Sequence, residues 1–269
     1  MIIVGEKLNG SIPSVGKAIA ERNEKRIRSL AVKQENAGAD FLDVCASVPE
    51  EQEAETLKWM LDLTQEVSDL PICVDSPSPH TIVKAIEYVK KPGLINSVSM
   101  EGNKTGIVFP VIADTRWKCI CLCSDEKGIP DTAERRLRVF ERILEEADRY
   151  GISHNRLFID PLVEMLCTKE DGISTVIDTI RGIRAMDEDV HIIGAISNIS
   201  YNLPARALIN QTFATLAIAA GMDAAILDPL NRDMIGAVFA TEACMGLDDY
   251  CMEYIGAFRE GRIGPLPKE

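Results

Sequence analysis

Eight cysteines are spread through this chain of 269 residues, yet no two of them form a Cys-x-x-Cys pair. Structural zinc sites draw their ligands from such close pairs, so the cysteine pattern excludes that class. Histidine is scarce, with only His80, His154 and His191. Positive charge is also short: 29 Lys and Arg stand against 42 Asp and Glu, a net charge of −13. Nucleic-acid binding depends on clustered cations that displace phosphate counterions, and this balance speaks against such a partner. No apolar run is long enough to cross a bilayer; the longest, 213–227, is broken by Gly221 and Asp223. The opening residues Met1-Ile2-Ile3-Val4-Gly5-Glu6 carry neither the basic nor the apolar region of a signal peptide, which predicts a cytoplasmic protein. No Gly-x-Gly-x-x-Gly follows the first apolar run, against an open dinucleotide-binding sheet.

What the chain does have is a recurring ending. Six short apolar runs finish in an acid or an amide: 41–43 at Asp43, 72–75 at Asp75, 94–96 at Asn96, 157–160 at Asp160, 192–198 at Ser197-Asn198, and 224–228 at Asp228. Apolar runs of this length read as strands buried on both faces. A polar residue at the same end of each places a ring of hydrogen-bonding groups on one rim of one sheet. In a parallel barrel, that rim carries the chemistry.

Strand candidates at 2–5, 41–45, 72–75, 94–97, 118–123, 157–160, 191–196 and 224–228 alternate with amphipathic helical patterns. The helices are expected over 26–36, 53–67, 81–89, 131–150, 174–186, 207–220 and 233–245, with an extra one over 248–258. Asp131 and Glu134 have capping-box spacing at the start of the fourth. Between 101 and 116, Pro110 interrupts the pattern and suggests two short helices. Eight strands and eight crossovers predict an α/β fold, a (β/α)8 TIM barrel, as one domain over 1–269. Cys119, Cys121 and Cys123 alternate on one strand and share a face, read as buried thiols serving as small apolar side chains, with a metal or redox role as the alternative.

The expected rim holds Glu6, Asn9, Asp43, Asp75, Asn96, Asp160, Ser197, Asn198, Asn202 and Asp228, and no histidine. That weakens metal hydrolysis and removes the base from a Ser-His or Cys-His nucleophile. No lysine is expected at a strand end, which weakens a Schiff-base mechanism. Magnesium on the carboxylates stays open. A flat heterocycle with an amidine-like edge fits better, because a carboxylate accepts two coplanar N–H groups and amides meet the remaining sites. Reduced pterins have such an edge. Any single Asp here serves equally well as the N-cap of the following helix; a set of six in register does not.

The ordered motifs Gly5-Glu6-Lys7-Leu8-Asn9-Gly10, Gln34-Glu35-Asn36-Ala37-Gly38-Ala39, Leu42-Asp43-Val44, Val74-Asp75-Ser76, Ile95-Asn96-Ser97, Ile159-Asp160-Pro161-Leu162, Ser197-Asn198-Ile199-Ser200 and Arg206 with Leu208-Ile209-Asn210 carry a resemblance. Together they resemble the pterin-binding barrel family, which includes dihydropteroate synthase and the folate domain of cobalamin-dependent methionine synthase. Within it the chain is most similar to the methyltetrahydrofolate:corrinoid protein methyltransferases of anaerobic bacteria. It lacks a Ser-Asp-Gly-Gly-like loop and a Ser-x-Arg near its end, against the synthase branch.

The resemblance implies that Asp75, Asn96 and Asp160 bind the pterin ring and that Asn198 lies beside N5. Asp43 would join Asn198 in catalysis as part of a proton path, while Ser197, Asn202 and Arg206 would make supporting or tail-side contacts. It implies tetrahydrofolate or methyltetrahydrofolate as substrate, no metal of its own, and a corrinoid (cobalamin) carried by a separate corrinoid protein. No Asp-x-His-x-x-Gly cobalt-ligand motif occurs in the chain itself. A homodimer is expected on the same ground. Two other functions remain on the table: a non-catalytic folate-binding barrel and a carboxylate–magnesium lyase on the same fold.

Overall fold

The computed structural model describes residues 1–169 and 171–265; positions 170 and 266–269 of the domain expected over 1–269 lie outside the described residues. Eight strands run β1 Ile2–Asn9, β2 Phe41–Cys45, β3 Ile72–Asp75, β4 Leu94–Met100, β5 Lys118–Asp125, β6 Leu157–Asp160, β7 His191–Ile192 and β8 Ala224–Leu227. They pair in parallel in the order β7-β6-β5-β4-β3-β2-β1-β8. The ring closes through a parallel bridge between Ala195 and Ile226, where the Ile226 N–H donates to Gly194 O at 3.0 Å. This is the expected (β/α)8 barrel. Its crossovers are α1 Pro13–Ala20, α2 Glu24–Asn36, α3 Glu50–Val67, α4 Pro79–Ala85, α5 Lys104–Ile112, α6 Ala133–Arg149, α7 Gly172–Met186, α8 Arg206–Ala220 and α9 Arg232–Cys244, followed by α10 Met252–Arg259.

Strand alternation sorts the core into two shells. The lumen is packed by Val4, Phe41, Cys73, Leu94, Ile120, Phe158, Ile193, Ala224 and Ile226. The neighbouring positions, among them Ile3, Leu42, Val74, Ile95 and Ile159, face outward against the helices. Cys119, Cys121 and Cys123 belong to this outer shell and are fully buried, as expected of apolar thiols. At the floor of the lumen the Lys118 ammonium lies 5.7 Å from the Phe41 ring centroid and 5.5 Å from that of Phe158, a cation–π seal.

Local differences from the sequence expectations have physical causes. Strand β1 runs to Asn9 because a bulge interrupts its register with β2 between Gly5 and Leu8. Val4 faces the lumen but Leu8, at the same parity, packs outward, so the bulge inverts the alternation. The Lys7 N–H donates instead to Gln34 Oε1 at 2.9 Å. Gly5 makes room for that amide, since a Cβ there would sit 2.5 Å from Gln34 Oε1. A second register shift between Ile95 and Val98 inverts β4 just past Asn96. Strand β7 stops at Ile192, short of the expected 196, and leads into a 3-10 turn, Ile196–Ser200. Pro110 sits within the last turn of a single helix, α5, which ends two residues later at Ile112, so it does not divide two helices. Helix α6 is capped by Thr132, whose hydroxyl accepts the Arg135 N–H at 3.3 Å, rather than by Asp131.

Arg136 is the largest fully buried side chain, on the apolar stripe of α6 with Val139, Phe140 and Ile143. Its guanidinium donates to Pro130 O at 3.0 Å, Pro161 O at 2.6 Å and Leu162 O at 2.7 Å, and pairs with Glu164. It thereby clamps the loop that follows β6. Removing one member of a buried charge network typically costs about 3–5 kcal/mol. Arg136→Ala should lower the urea-unfolding free energy by about that amount, and an unchanged unfolding midpoint would contradict the clamp.

Candidate active site

Five polar residues stand on the lumen side, each two positions beyond an apolar lumen residue: Glu6 after Val4, Asp43 after Phe41, Asp75 after Cys73, Asn96 after Leu94 and Asp160 after Phe158. A strand returns to the same face every second residue, so each lies one step above the apolar packing. Asp228 follows Ile226 in the same way, just past the end of β8. The equivalent positions on β5 and just past β7, Leu122 and Ala195, are apolar. The result is a polar arc open on two sides.

Within the arc, Asn96 Nδ2 donates to Asp43 Oδ1 at 3.3 Å. Burial pushes the Asp43 carboxyl up to about 6, opposed by hydrogen bonds from the Cys73 thiol and Asn96. Asp75 is raised well above the usual carboxylate range by burial and by the neighbouring Asp43 charge, against a hydrogen bond from Cys45. Asp160 Oδ1 accepts the Leu162 N–H at 2.7 Å. Burial lifts its carboxyl to about 6, against that bond and the Arg136 charge. Three acids that hold protons more tightly than usual, around one amide, suit a neutral ligand rich in N–H donors.

The β1 bulge builds the other side of the mouth. Lys7 Nζ pairs with Asp228 Oδ2 at 2.9 Å, so a lysine does stand on the rim, contrary to the sequence expectation. The bulge hid it, and its ammonium is already engaged by a carboxylate. Glu6 Oε2 accepts a hydrogen bond from Ser197 Oγ at 3.2 Å. Burial, with the charge of Asp228, lifts the Glu6 carboxyl to about 7.

Ser197 and Asn198 lie in the 3-10 turn after β7, Ser197 half-buried and Asn198 exposed at the lip. Asn198 is tied in through its backbone, its N–H donating to Ala195 O at 3.2 Å, which leaves its amide free among the described contacts. Arg206, exposed at the start of α8, braces the turn: Nη2 donates to Ser197 O at 2.7 Å and Nε to Ser200 Oγ at 3.0 Å. Asn202 is exposed, with a left-handed φ of 63° and no side-chain hydrogen bond among the described residues. The structure thus brings Asp43, Asp75 and Asn96 together, adds Asp160 across the lumen, and puts Ser197, Asn198 and Arg206 on one turn; Asn202 stands apart.

Sequence reasoning missed two supports. One is Arg136, detectable as an arginine on an apolar helical stripe. The other is Glu53, buried on α3, whose Oε1 accepts from Ser76 Oγ at 2.8 Å directly after Asp75. Among the described residues no group of three or more His, Cys, Asp and Glu side chains is arranged as a metal cage.

The raised acids link stability to pH. Asp43 and Asp160 move from 3.8 to about 6, and Glu6 from 4.5 to about 7, so each binds its proton more tightly when folded. Their stabilisation is complete below the unfolded pKa values and is lost as pH rises through the folded ones. The urea midpoint of the unliganded protein should therefore fall between about pH 4.5 and about pH 7.5, and Asp160→Asn should flatten part of that slope. A midpoint rising across this window would contradict the protonated arc.

Comparison with known proteins agrees with this geometry. The sequence profile described as "Pterin binding enzyme" matches residues 7–228. A methylcorrinoid:tetrahydrofolate methyltransferase of Eubacterium limosum is 47% identical over 268 residues, 99% of each chain. A methionine synthase of Mycobacterium leprae is 28% identical over 251 residues, covering 86% of this chain but only 21% of that protein. Among solved structures, a Yersinia pestis dihydropteroate synthase with a pterine–sulfa conjugate superposes with a TM-score of 0.65 at 17% identity, over 91% of this chain and 94% of that one. The Xanthomonas albilineans enzyme in complex with 7,8-dihydropteroate gives 0.63 at 18%, over 90% and 92%. At such identities the structures establish the fold, while the profile and the full-length relative establish the lineage. The chain belongs to the pterin-binding enzyme family.

Proposed function

We propose that this chain is a methyltransferase moving a methyl group between N5 of tetrahydrofolate and the cobalt of a separate corrinoid protein. The observation that carries the reading is the lumen arc of Asp43, Asp75, Asn96 and Asp160 above an apolar floor, in a chain 47% identical to a methylcorrinoid:tetrahydrofolate methyltransferase. Asp75, Asn96 and Asp160 hold the amidine-like edge of the pterin through its N–H donors. The ring's N5 side then faces the turn of Ser197 and Asn198. Ser197, Asn202 and Arg206 support that turn and the tail side of the folate.

The chemistry needs charge control at N5. An unprotonated amine would leave as an amide anion, so giving up the methyl group requires a proton on N5 as the C–N bond breaks. The Asn198 carbonyl accepts a hydrogen bond from that N–H and stabilises the developing cation; a single well-placed group of this kind contributes roughly 2.7–4 kcal/mol. Asp43, bonded to Asn96, takes part in the proton path beside the ring. By microscopic reversibility the same groups serve methylation of tetrahydrofolate by a methylcorrinoid, with the proton leaving N5. The corrinoid is the partner's cargo and meets N5 when that protein docks on the rim, in a chain that acts as one pterin-binding domain. Eight free thiols suit the reducing interior of the cell, and we place the reaction in the cytoplasm of an anaerobic organism.

Two measurements test this assignment. Calorimetry should find methyltetrahydrofolate binding without added metal, weakened by about 1.5–3 kcal/mol in Asp160→Ala. Anaerobic single-turnover transfer to a Co(I) corrinoid should slow roughly 10²–10³-fold in Asn198→Ala, with a far smaller change in folate affinity. Binding that requires magnesium would favour the lyase, and binding without transfer the non-catalytic barrel.

The protein is also proposed to be a homodimer. Leu216 on α8, Met245 and Leu247 after α9, and Met252, Ile255 and Phe258 on α10 are exposed large apolar side chains on consecutive C-terminal elements. A second copy is the partner that covers a patch of this kind. Sedimentation should give a dimer for the wild type and a monomer for Leu247→Asp/Phe258→Asp; a wild-type monomer refutes it.

A further inference from the structure

Glu6 has no role in the pterin contacts proposed above, although it stands on the lumen side of β1. Its Oε2 accepts from Ser197 Oγ at 3.2 Å, and Ser197 directly precedes Asn198. Beside this pair lies a small cavity of about 30 Å³, lined by Glu6, Ser197, Asn210, Asp228 and Asn231 with apolar neighbours. Asn210 Oδ1 is buried without a hydrogen-bond partner. One water needs about 10–15 Å³ of such space and two to four polar partners. The side chains of Glu6, Ser197 and Asn210 on its lining supply them.

We propose that Glu6 is a second proton relay of the methyl-transfer step, beyond Asp43, exchanging the N5 proton through Ser197 and water held in this cavity. The role rests on the methyltransferase assignment and adds to it a group that holds the proton. Towards methylfolate, the N5 lone pair forms the C–N bond while the C–Co bond breaks and leaves its electron pair on cobalt. As the C–N bond forms, the N5 proton passes to the Glu6 carboxylate, which becomes the acid. In the opposite direction the acid returns the proton to N5, which keeps the C–N electron pair as the methyl group moves to Co(I).

The surroundings of Glu6 suit a group that must both take and give a proton. Burial and the charges of Asp228 on the β8 side and Asp43 on β2 raise its carboxyl to about 7, while Ser197 and Lys7 oppose them. A relay works best when its pKa lies close to the operating pH. Lys7 is itself bound to Asp228 at 2.9 Å, which keeps the nearest cation from fixing Glu6 as a carboxylate. Asp75 and Asp160 are committed to the ring, where their own protonation sets affinity. Glu6 can change its protonation state without loosening the pterin.

The test is the pH dependence of single-turnover methyl transfer in Glu6→Gln, which keeps the shape of the acid and an acceptor for Ser197 but cannot titrate. Wild-type methylation of tetrahydrofolate from a methylcorrinoid protein should rise with pH and level off through an inflection near 7. In Glu6→Gln the plateau rate should fall about tenfold or more and that inflection should vanish, with folate affinity nearly unchanged. Ser197→Ala breaks the path while keeping the carboxyl, and should likewise lose the inflection near 7. If both variants keep the wild-type profile, the relay is overturned while the methyltransferase assignment stands. If wild-type protein neither binds folate nor transfers a methyl group, the assignment itself fails and the relay with it.

Discussion

Phe41, Leu94, Ile120 and Phe158 fill the lumen immediately beneath the rim acids, and this apolar plug governs the behaviour of the groups above it. It excludes water from one side of Asp43 and Asp160, so both acids are lifted to about 6 although each keeps hydrogen-bond donors. A flooded lumen would return them to ordinary carboxylates, fully charged at neutral pH. The same side chains that stabilise the barrel by burial therefore set the protonation of the site. Stability and recognition share one packing layer, sealed below by Lys118 across two aromatic rings.

Most of the architecture was legible because the chain obeys strand periodicity. Asp43, Asp75, Asn96 and Asp160 each follow a lumen hydrophobe by two positions, and an apolar run ending in a polar residue is the one-dimensional image of that step. What stayed hidden was whatever breaks the period. The bulge at Glu6 and Lys7 inverts β1, so a reading that ended the strand at Gly5 could not put Lys7 on Asp228. Strand β7 was overextended because Ile193 and Ala195 remain apolar lumen residues after the ladder has ended. Arg136 and Glu53 were missed because buried charges on helices disclose their partners only in three dimensions.

The site residues divide by stiffness as well as by chemistry. Asp43, Asp75, Asn96 and Asp160 stand on strands or at their ends, and the loop after Asp160 is locked by a buried guanidinium. Asn198 instead occupies an exposed turn held by Arg206 from the surface. Asp43, Asp75, Asn96 and Asp160 thus rest on the strands, while Asn198 lies on an exposed turn of the rim. Such a division fits a reaction in which the pterin stays in place and the second substrate arrives on another protein.

The seam of the barrel gives that division a mechanical meaning. Strand β7 meets β6 over only two residue pairs and β8 through a single bridge, whereas β4 and β5 share five pairs. The barrel is in effect a strip bent round and joined by few backbone bonds, Ile226 N–H to Gly194 O and Asp223 N–H to Ile192 O, and this joint lies close to the Asn198 turn. Strain imposed on the rim collects at the joint with the fewest bonds to break, as local opening in proteins generally does. Residues 193–206 flank that joint and Asp160 on β6 stands next to it, whereas Asp43, Asp75 and Asn96 lie on strands held by longer ladders.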